Sequence, residues 1–409
     1  MKSVTVGSSV DSSSKLQTLI NNTGNTPTEY IFSENDIEIN STVKFYNYTK
    51  LTGNGVTLHL KDKVSESVFP TMTPILTSKT SPGAINLEFS GLTFDGNYNN
   101  QTVSLGKGFH NFIYIYKGTG IKVHDCYIHD TAGDGARLTY CQNSDFYNNR
   151  IVRPGHEGVY FDGGSDARAW NNYGEIRTNN LVRVRHITRA HVHDNKIYNK
   201  VGGAASCPGI QIEVSTEQGT LSDVLIEDNY LEGVYGPGIW AMGRLNTSRD
   251  AAKGVIIRNN VFYKCGQMKH IAGVGGIVCD GINDIEIYNN LFDSCRGYGV
   301  LFGSYVAVTS ASSGYKAVVR DNVFKNTGKS ITAGEASGTA LCNLIPKKYT
   351  VEAWGNSYSG NVQDRYNVTE QVNPPEEPDS PAYVKFECPE SEIDGLKVKY
   401  NIYKRLSNE

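Results

Sequence analysis

The chain has 409 residues, more than one ordinary compact core supports, and it carries 42 glycines and 25 tyrosines. Charged residues make up 20% and the formal net charge is −3, so no basic surface for nucleic acid and no acidic disordered tail is indicated. No stretch reaches the ~18 consecutive apolar residues of a membrane span, so membrane insertion is not expected.

In chain order, Met1–Gly7 lacks the apolar core of a signal peptide. Ser12-Ser13-Ser14 is positioned to start a short helix that covers a first structural layer with Leu16, Leu19 and Ile20. Residues 1–50 are read as an N-terminal cap. Asn-x-Ser/Thr sequons at Asn21, Asn40, Asn47, Asn100, Asn246 and Asn367 fit a secreted or cell-surface protein.

Residues 51–360 carry a repeat: alternating apolar residues, then Asp/Asn-Asn, then a residue followed by another apolar one. The asparagine recurs at 149, 172, 195, 229, 260, 290, 322 and 356. The shortest interval, 23 residues, holds three short strands and three turns at ~3.3 Å per residue. The longer intervals are the same coil carrying insertions, placed at 196–209, 214–223, 243–254 and 303–316. Period-two alternation excludes helical repeats. Asparagine tolerates left-handed backbone at a bend, and its amide can bond to the next coil, so a stacked asparagine ladder is expected.

Residues 361–409 change character. A Pro-rich linker at 373–381 precedes two alternating segments, Tyr383–Phe386 and Leu396–Tyr403, read as two strands of a C-terminal β extension. The eight cysteines include no Cys-x-x-Cys pair, so no zinc site is expected. Cys265 with Cys295, and Cys279 with Cys342, share coil positions and are read as internal stacks of small apolar residues, with no disulfide assigned.

This repeat resembles the right-handed parallel β-helix superfamily of pectate lyases, polygalacturonases and phage tailspikes. The resemblance implies an all-β, single-stranded right-handed parallel β-helix of about ten or more coils. It also implies sheet assignments: the strand opening with Gly is the first sheet, the strand before the asparagine ladder the second, and the strand after it the third.

Aligned on the ladder, the first-sheet strands place apolar residues inward and two columns outward. One column reads Tyr114, Arg137, Tyr160, Arg183, Gln211, Trp240. The other reads Tyr116, Thr139, Asp162, Arg185, Glu213, Met242, Asp280. Exposed aromatic rings suit the apolar face of a sugar, and arginine suits a carboxylate or sulfate on it. Asp162 and Glu213, two coils apart with Arg185 between them, are the candidate catalytic acid and base. Their expected carboxyl separation of ~6.5–9.5 Å fits an inverting hydrolase. Tyr114, Tyr116, Arg137, Tyr160, Arg183, Gln211, Trp240 and the turn residue His156 are the candidate substrate-binding set. Tyr160, Arg183, Gln211 and Trp240 are expected to face water in an open trough. The alternative reading of Asp162, Arg185 and Glu213 is an exposed ion-pair ladder. A second column, His124, Tyr147, Trp170, His193 and Glu227, flanked by Lys122, Asp145, Arg168 and His191, reads as a binding face, a subunit contact or simple stacking.

Polygalacturonases carry an Asp-Asp pair and a Gly-His-Gly turn; Gly155-His156-Glu157 departs from that pattern. Acids that alternate with arginines disfavour a calcium-dependent lyase, so no metal or cofactor is expected. The block from Trp170-Asn171-Asn172-Tyr173 to Pro208-Gly209-Ile210-Gln211-Ile212-Glu213 is similar to disaggregatase of methanogenic archaea, an extracellular family. That similarity implies endo-acting hydrolysis of a chondroitin-like matrix of uronic acid and amino sugar. A polysaccharide lyase on the same face, and a non-catalytic adhesin or spike solenoid, stay open as alternatives, as does the oligomeric state.

Overall fold

The computed structural model describes the chain except for residues 34–35, 65–73, 81–82, 106–110, 200–207, 216–218, 244–247, 268–274, 304–312, 330–337, 373–382, 388–390, 394–395, 399–400 and 406–409. For the strands between 383 and 405 the backbone alone is described.

Strand pairing from Lys2–Val6 to Glu370–Gln371 is parallel. Twelve short strands, from Ile37–Ile39 to Ser357–Ser359, stack as the third sheet. The other strands stack as the first and second sheets, which run together where coils lack insertions. The 23-residue coils Ala136–Tyr147, Val159–Trp170 and Val182–His193 each pass through both sheets as one bent strand. Left-handed residues, among them Tyr140, Asn143, Asp166, His186 and Arg189, make the bend. The helix Ser13–Thr23 buries Leu16 and Ile20, with Leu19 packed at the edge, and lies against the strands Ile37–Ile39 and Val43–Phe45 at that end of the solenoid.

The first-sheet register is the one the ladder predicts. Ile113, Ala136, Val159, Val182, Ile210, Ile239 and Ile277 pair in succession and point inward. Glycine precedes five of these strands, at 135, 158, 209, 238 and 276, and it has a steric cause. A Cβ on Gly135 or Gly158 would lie 2.6 or 2.7 Å from a carbonyl oxygen of the next coil.

The asparagine ladder divides into two columns with separate tasks. The left-handed position is taken by the first residue of each pair: Asp125, Asn148, Asn171, Asp194, Asp228, Asn259, Asn289 and Asp321 have φ between 54° and 57°, except Asn171 at 50°. The second residue is buried and forms the ladder. Asn149, Asn172, Asn195, Asn229, Asn260, Asn290 and Asn322 each donate from Nδ2 to the next Oδ1 at 2.9–3.1 Å. Each ladder Oδ1 also accepts the backbone N–H one coil back, as Asn172 does from Asn149 at 3.0 Å. Glu370 ends the ladder by accepting from Asn356 at 2.9 Å. Phe262, Phe292 and Phe324 stack beneath it with centroids 4.8 Å apart, the coil spacing.

Three expectations need correction. Cys279 pairs with Phe302 and points inward, whereas Cys342 pairs with Leu301 in the outward column, so these two cysteines do not stack. Cys265 and Cys295 do share a buried internal position. The insertions are shorter than read: Lys196–Tyr198, Leu221–Glu227, Ala252–Arg258 and Tyr315–Arg320 are strands, because the period-two pattern continues into each of them. Among the described residues the C-terminal extension holds four strands, with Tyr383–Glu387 antiparallel to Asn401–Arg405 and Ser391–Ile393 antiparallel to Leu396–Val398. The Asp-Gly dipeptide at 394–395, just ahead of the second segment, is a hairpin signal that the two-strand reading left out. The Pro-rich linker lies outside the described residues, as do Cys207 and Cys388.

Candidate functional site

The two outward columns of the first sheet form as predicted. Tyr114, Arg137, Tyr160, Arg183, Gln211 and Trp240 pair residue by residue, and so do Tyr116, Thr139, Asp162, Arg185, Glu213, Met242 and Asp280. They do not line an open trough. Tyr160 is 2% exposed, Gln211 4%, Asp162 6%, Glu213 2% and Trp240 7%. The physical reason is mutual cover between coils. The guanidinium carbons of Arg137, Arg183 and Arg185 lie 4.5, 4.7 and 5.3 Å from the Tyr160 ring centre, so three cations close over one aromatic ring. Trp240 and Met242 lead into an apolar cluster with Val278, Leu301 and Cys342. Tyr114 and Tyr116 are half-buried, and Tyr116 meets the exposed Tyr140 edge-on at 5.9 Å.

The ion pairs also differ from the expected Asp162–Arg185–Glu213 bridge. Arg185 holds Asp162 in a bidentate pair, Nε to Oδ1 at 2.7 Å and Nη2 to Oδ2 at 2.8 Å. Arg137 Nη2 donates to the same Asp162 Oδ2 at 2.7 Å. Glu213 instead takes its partners from the other column: it accepts from Arg183 Nη2 at 2.5 Å and from Gln211 Nε2 at 2.7 Å. Arg185 turns back one coil because Glu213 is already taken. The arginine side chains, 12% exposed for Arg137, 16% for Arg183 and 26% for Arg185, are the outer layer over more deeply buried carboxylates.

Beneath this layer lies a group that residue patterns on the strands do not reveal. Asn111, Asp134, Glu157 and Asn180 occupy one place in the turn entering the first sheet. Backbone bonds from Phe112 to Asp134, Gly135 to Glu157 and Gly158 to Asn180 fix them in column. All four are fully buried. Their 23-residue spacing is the available signal, had the period been applied to turns as well as strands. Arg183 joins this column to the outer face, donating from Nη1 to Glu157 Oε1 at 2.8 Å. Asn179 donates to the same oxygen at 2.7 Å.

His156, expected at the groove edge, turns instead onto Asp134 Oδ1 at 2.7 Å and contacts Glu157. Burial pushes Glu157 up to about 7, with the Asp134 charge adding to it. Burial alone would push His156 down, but Glu157 and Asp134 outweigh it and hold the imidazole at about 10. Burial likewise disfavours the Asp134 anion, and His156 overcomes this, leaving Asp134 below its usual range. Burial raises the Tyr160 phenol against the pull of Arg183. A further residue missed by the sequence reading is His186, next to Arg185. Burial and then the Arg185 charge lower it, and its Nε2 accepts from Ser215 N–H at 3.0 Å.

Two clusters among the described residues bring three potential metal ligands together: Asp95, His129 and Asp130, and the buried Asp134, His156 and Glu157. In the first, Arg153 occupies both oxygens of Asp130 at 2.7 and 2.6 Å. The second-sheet column is a stack rather than an open face: His124, Tyr147, Trp170 and His193 lie nearly parallel, with centroids 4.5, 4.3 and 5.9 Å apart. Ring faces buried against each other are not available to a sugar.

With this geometry in view, the sequence matches a family model described as right handed beta helix region over residues 81–248. The chain is a right-handed parallel β-helix. Over residues 221–387 the β-helix also matches a model described as disaggregatase related. The block that carried the resemblance to disaggregatase, 170–213, lies just before that match. Among solved structures, the β-helix is similar to the A-module of mannuronan C-5 epimerase AlgE6 from Azotobacter vinelandii. Identity is 12%, coverage 88% of this chain and 93% of that one, and the TM-score 0.61. It is similar to a tailspike protein of the E. coli bacteriophage HK620 solved with a pentasaccharide, at 14% identity, 94% and 78% coverage and TM-score 0.56. It is similar to an exopolygalacturonase from Thermotoga maritima at 10% identity, 99% and 95% coverage and TM-score 0.50. These likenesses concern the fold. Among curated proteins none matches.

Proposed function

We propose that this β-helix is a polysaccharide-cleaving enzyme, secreted or held at the cell surface, and that it hydrolyses an acidic, chondroitin-like polymer internally. The observation that carries the reading is the layered first-sheet face: Arg137, Arg183 and Arg185 outermost around Tyr160, with Asp162 and Glu213 beneath them. Sugar carboxylates or sulfates meet guanidinium first, and bidentate pairing selects them. An incoming anion competes with Asp162 for Arg185 and with Glu213 for Arg183. The exchange releases a carboxyl oxygen at each place, one to protonate the leaving oxygen and one to activate water. The disaggregatase-related match and the epimerase, tailspike and polygalacturonase likenesses support the substrate class.

Glu213→Gln and Asp162→Asn are expected to reduce turnover on an unsulfated chondroitin-type polymer by at least ~100-fold while retaining binding. Arg185→Lys, which loses the bidentate fork, is expected to raise KM more than it lowers kcat. New reducing ends without an ultraviolet-absorbing product identify hydrolysis. A second reading, β-elimination, is favoured by the buried Tyr160 hydroxyl, which has no hydrogen-bond partner among the described residues. An absorbing unsaturated product would replace the hydrolase reading with that one. Glycan binding that persists with no cleavage of any acidic polymer would make the protein an adhesin.

A further inference from the structure

The sealed turn column raises a question separate from glycan cleavage. Turns are where polar side chains ordinarily meet water. Here two amides and two carboxylates are fully buried one coil apart, so their polar atoms need partners inside the protein. Glu157 Oε1 has Arg183 and Asn179. Asp134 Oδ1 has His156 Nδ1 at 2.7 Å and the Glu157 backbone N–H at 3.1 Å. Asp134 Oδ2 and both polar atoms of the Asn111 amide are buried with none among the described residues. A buried polar atom left unpaired is destabilising, more so when charged, and such atoms mark places where water or an ion belongs.

The donors converge. One oxygen each from Asp134 and Glu157 and the His156 nitrogen lie within 4.8 Å of one another. An ion bonded at ~2.1 Å in tetrahedral geometry needs donors ~3.4 Å apart, a small adjustment from there. Two carboxylate oxygens and an imidazole nitrogen are a donor set for zinc or manganese, whereas calcium takes six to eight oxygens. Arg183, the arginine bonded to the column, is shared between Glu157 and Glu213 and occupies the Glu157 oxygen opposite the imidazole. That leaves the Asp134 and Glu157 charges facing one another across His156 Nδ1, and an ion bound there takes the place of the ring proton they share, which leaves to solvent. The outward column in which acids alternate with arginines, unsuited to a cation, is a different layer.

We propose that Asp134, His156 and Glu157 form a buried site for a divalent transition-metal ion, with the Asn111 amide one coil away as the adjoining oxygen donor. The ion pins Glu157, and through it Arg183, from below the glycan face. The site stands on its own geometry and does not depend on the cleavage reading.

The test uses the full chain, stripped with chelator and titrated with Zn2+ and Mn2+ by calorimetry. Crystals soaked in the tighter-binding ion then locate it by anomalous scattering. The expected result is one ion per chain, a raised thermal midpoint, and an anomalous peak between Asp134, His156 and Glu157. His156→Gln is expected to weaken binding by at least tenfold, and His129→Gln, in the other cluster, to leave it unchanged. Should His156→Gln not fold, the anomalous position in the unsubstituted protein decides. No bound ion, a peak at Asp95, His129 and Asp130, or full affinity in folded His156→Gln overturns the proposal.

Discussion

Asp228 illustrates what a single residue contributes here. It occupies the left-handed turn position next to Asp194 in the column, where asparagine stands in several other coils. Burial, then the Glu227 and Asp194 charges, push its carboxyl up to about 6. A carboxyl raised in the folded state adds stability below its unfolded value near 3.8, and that stability is lost as pH rises through about 6. Asp228→Asn keeps the left-handed tolerance and removes the charge. The variant is expected to melt higher than the parent at pH 7–8 and to lose that advantage between about pH 6 and pH 4 in paired thermal scans. A constant difference at every pH would contradict the account. The residue scale also shows why the site was only partly legible. Outward direction on a strand follows from period two, so Asp162, Arg185 and Glu213 fell in their columns. Exposure does not follow from direction: three guanidinium groups folding over Tyr160 depend on side-chain rotamers that no spacing encodes.

At the scale of the element, the asparagine ladder and the phenylalanine stack are linear arrays in which each member serves two neighbours. Asn229 accepts from the Asn195 amide and backbone N–H and donates to Asn260. Asn229→Ala strands the Asn195 backbone N–H in a buried place, while the Asn195 amide keeps the Ala169 and His193 carbonyls, with an expected loss of about 1–3 kcal/mol in denaturant unfolding. Phe292→Ala opens a hole between Phe262 and Phe324 and is expected to cost about 3–5 kcal/mol. Losses under 1 kcal/mol at either position would show that neighbouring coils close up. The ladder was readable because its residue type and its place between the second and third strands repeat in each coil, even where insertions lengthen the interval. The turn column of Asn111, Asp134, Glu157 and Asn180 has the interval but changes residue type at each step, so composition hides what geometry aligns. The same rule explains the misplaced Cys342. Insertion lengths differ between coils, so a shared residue type at a similar distance from the ladder does not guarantee a shared register.

For the whole molecule, a solenoid makes each coil depend on its neighbours alone, which is why one repeat led to an expectation of about ten or more coils; twelve third-sheet strands stack among the described residues. The same architecture carries little about chemistry, because many activities share it. The proposed function rests instead on one flank, where aromatic, cationic and acidic columns coincide over successive coils while the second sheet uses up its rings in stacking. That claim is tested most directly by a crystal structure of Glu213→Gln with an unsulfated chondroitin oligosaccharide. The account predicts sugar along the first sheet, with its carboxylates on Arg137, Arg183 or Arg185 and a glycosidic oxygen near Asp162 and residue 213. Sugar bound along the second or third sheet, with the three arginines still closed over Tyr160, would contradict it.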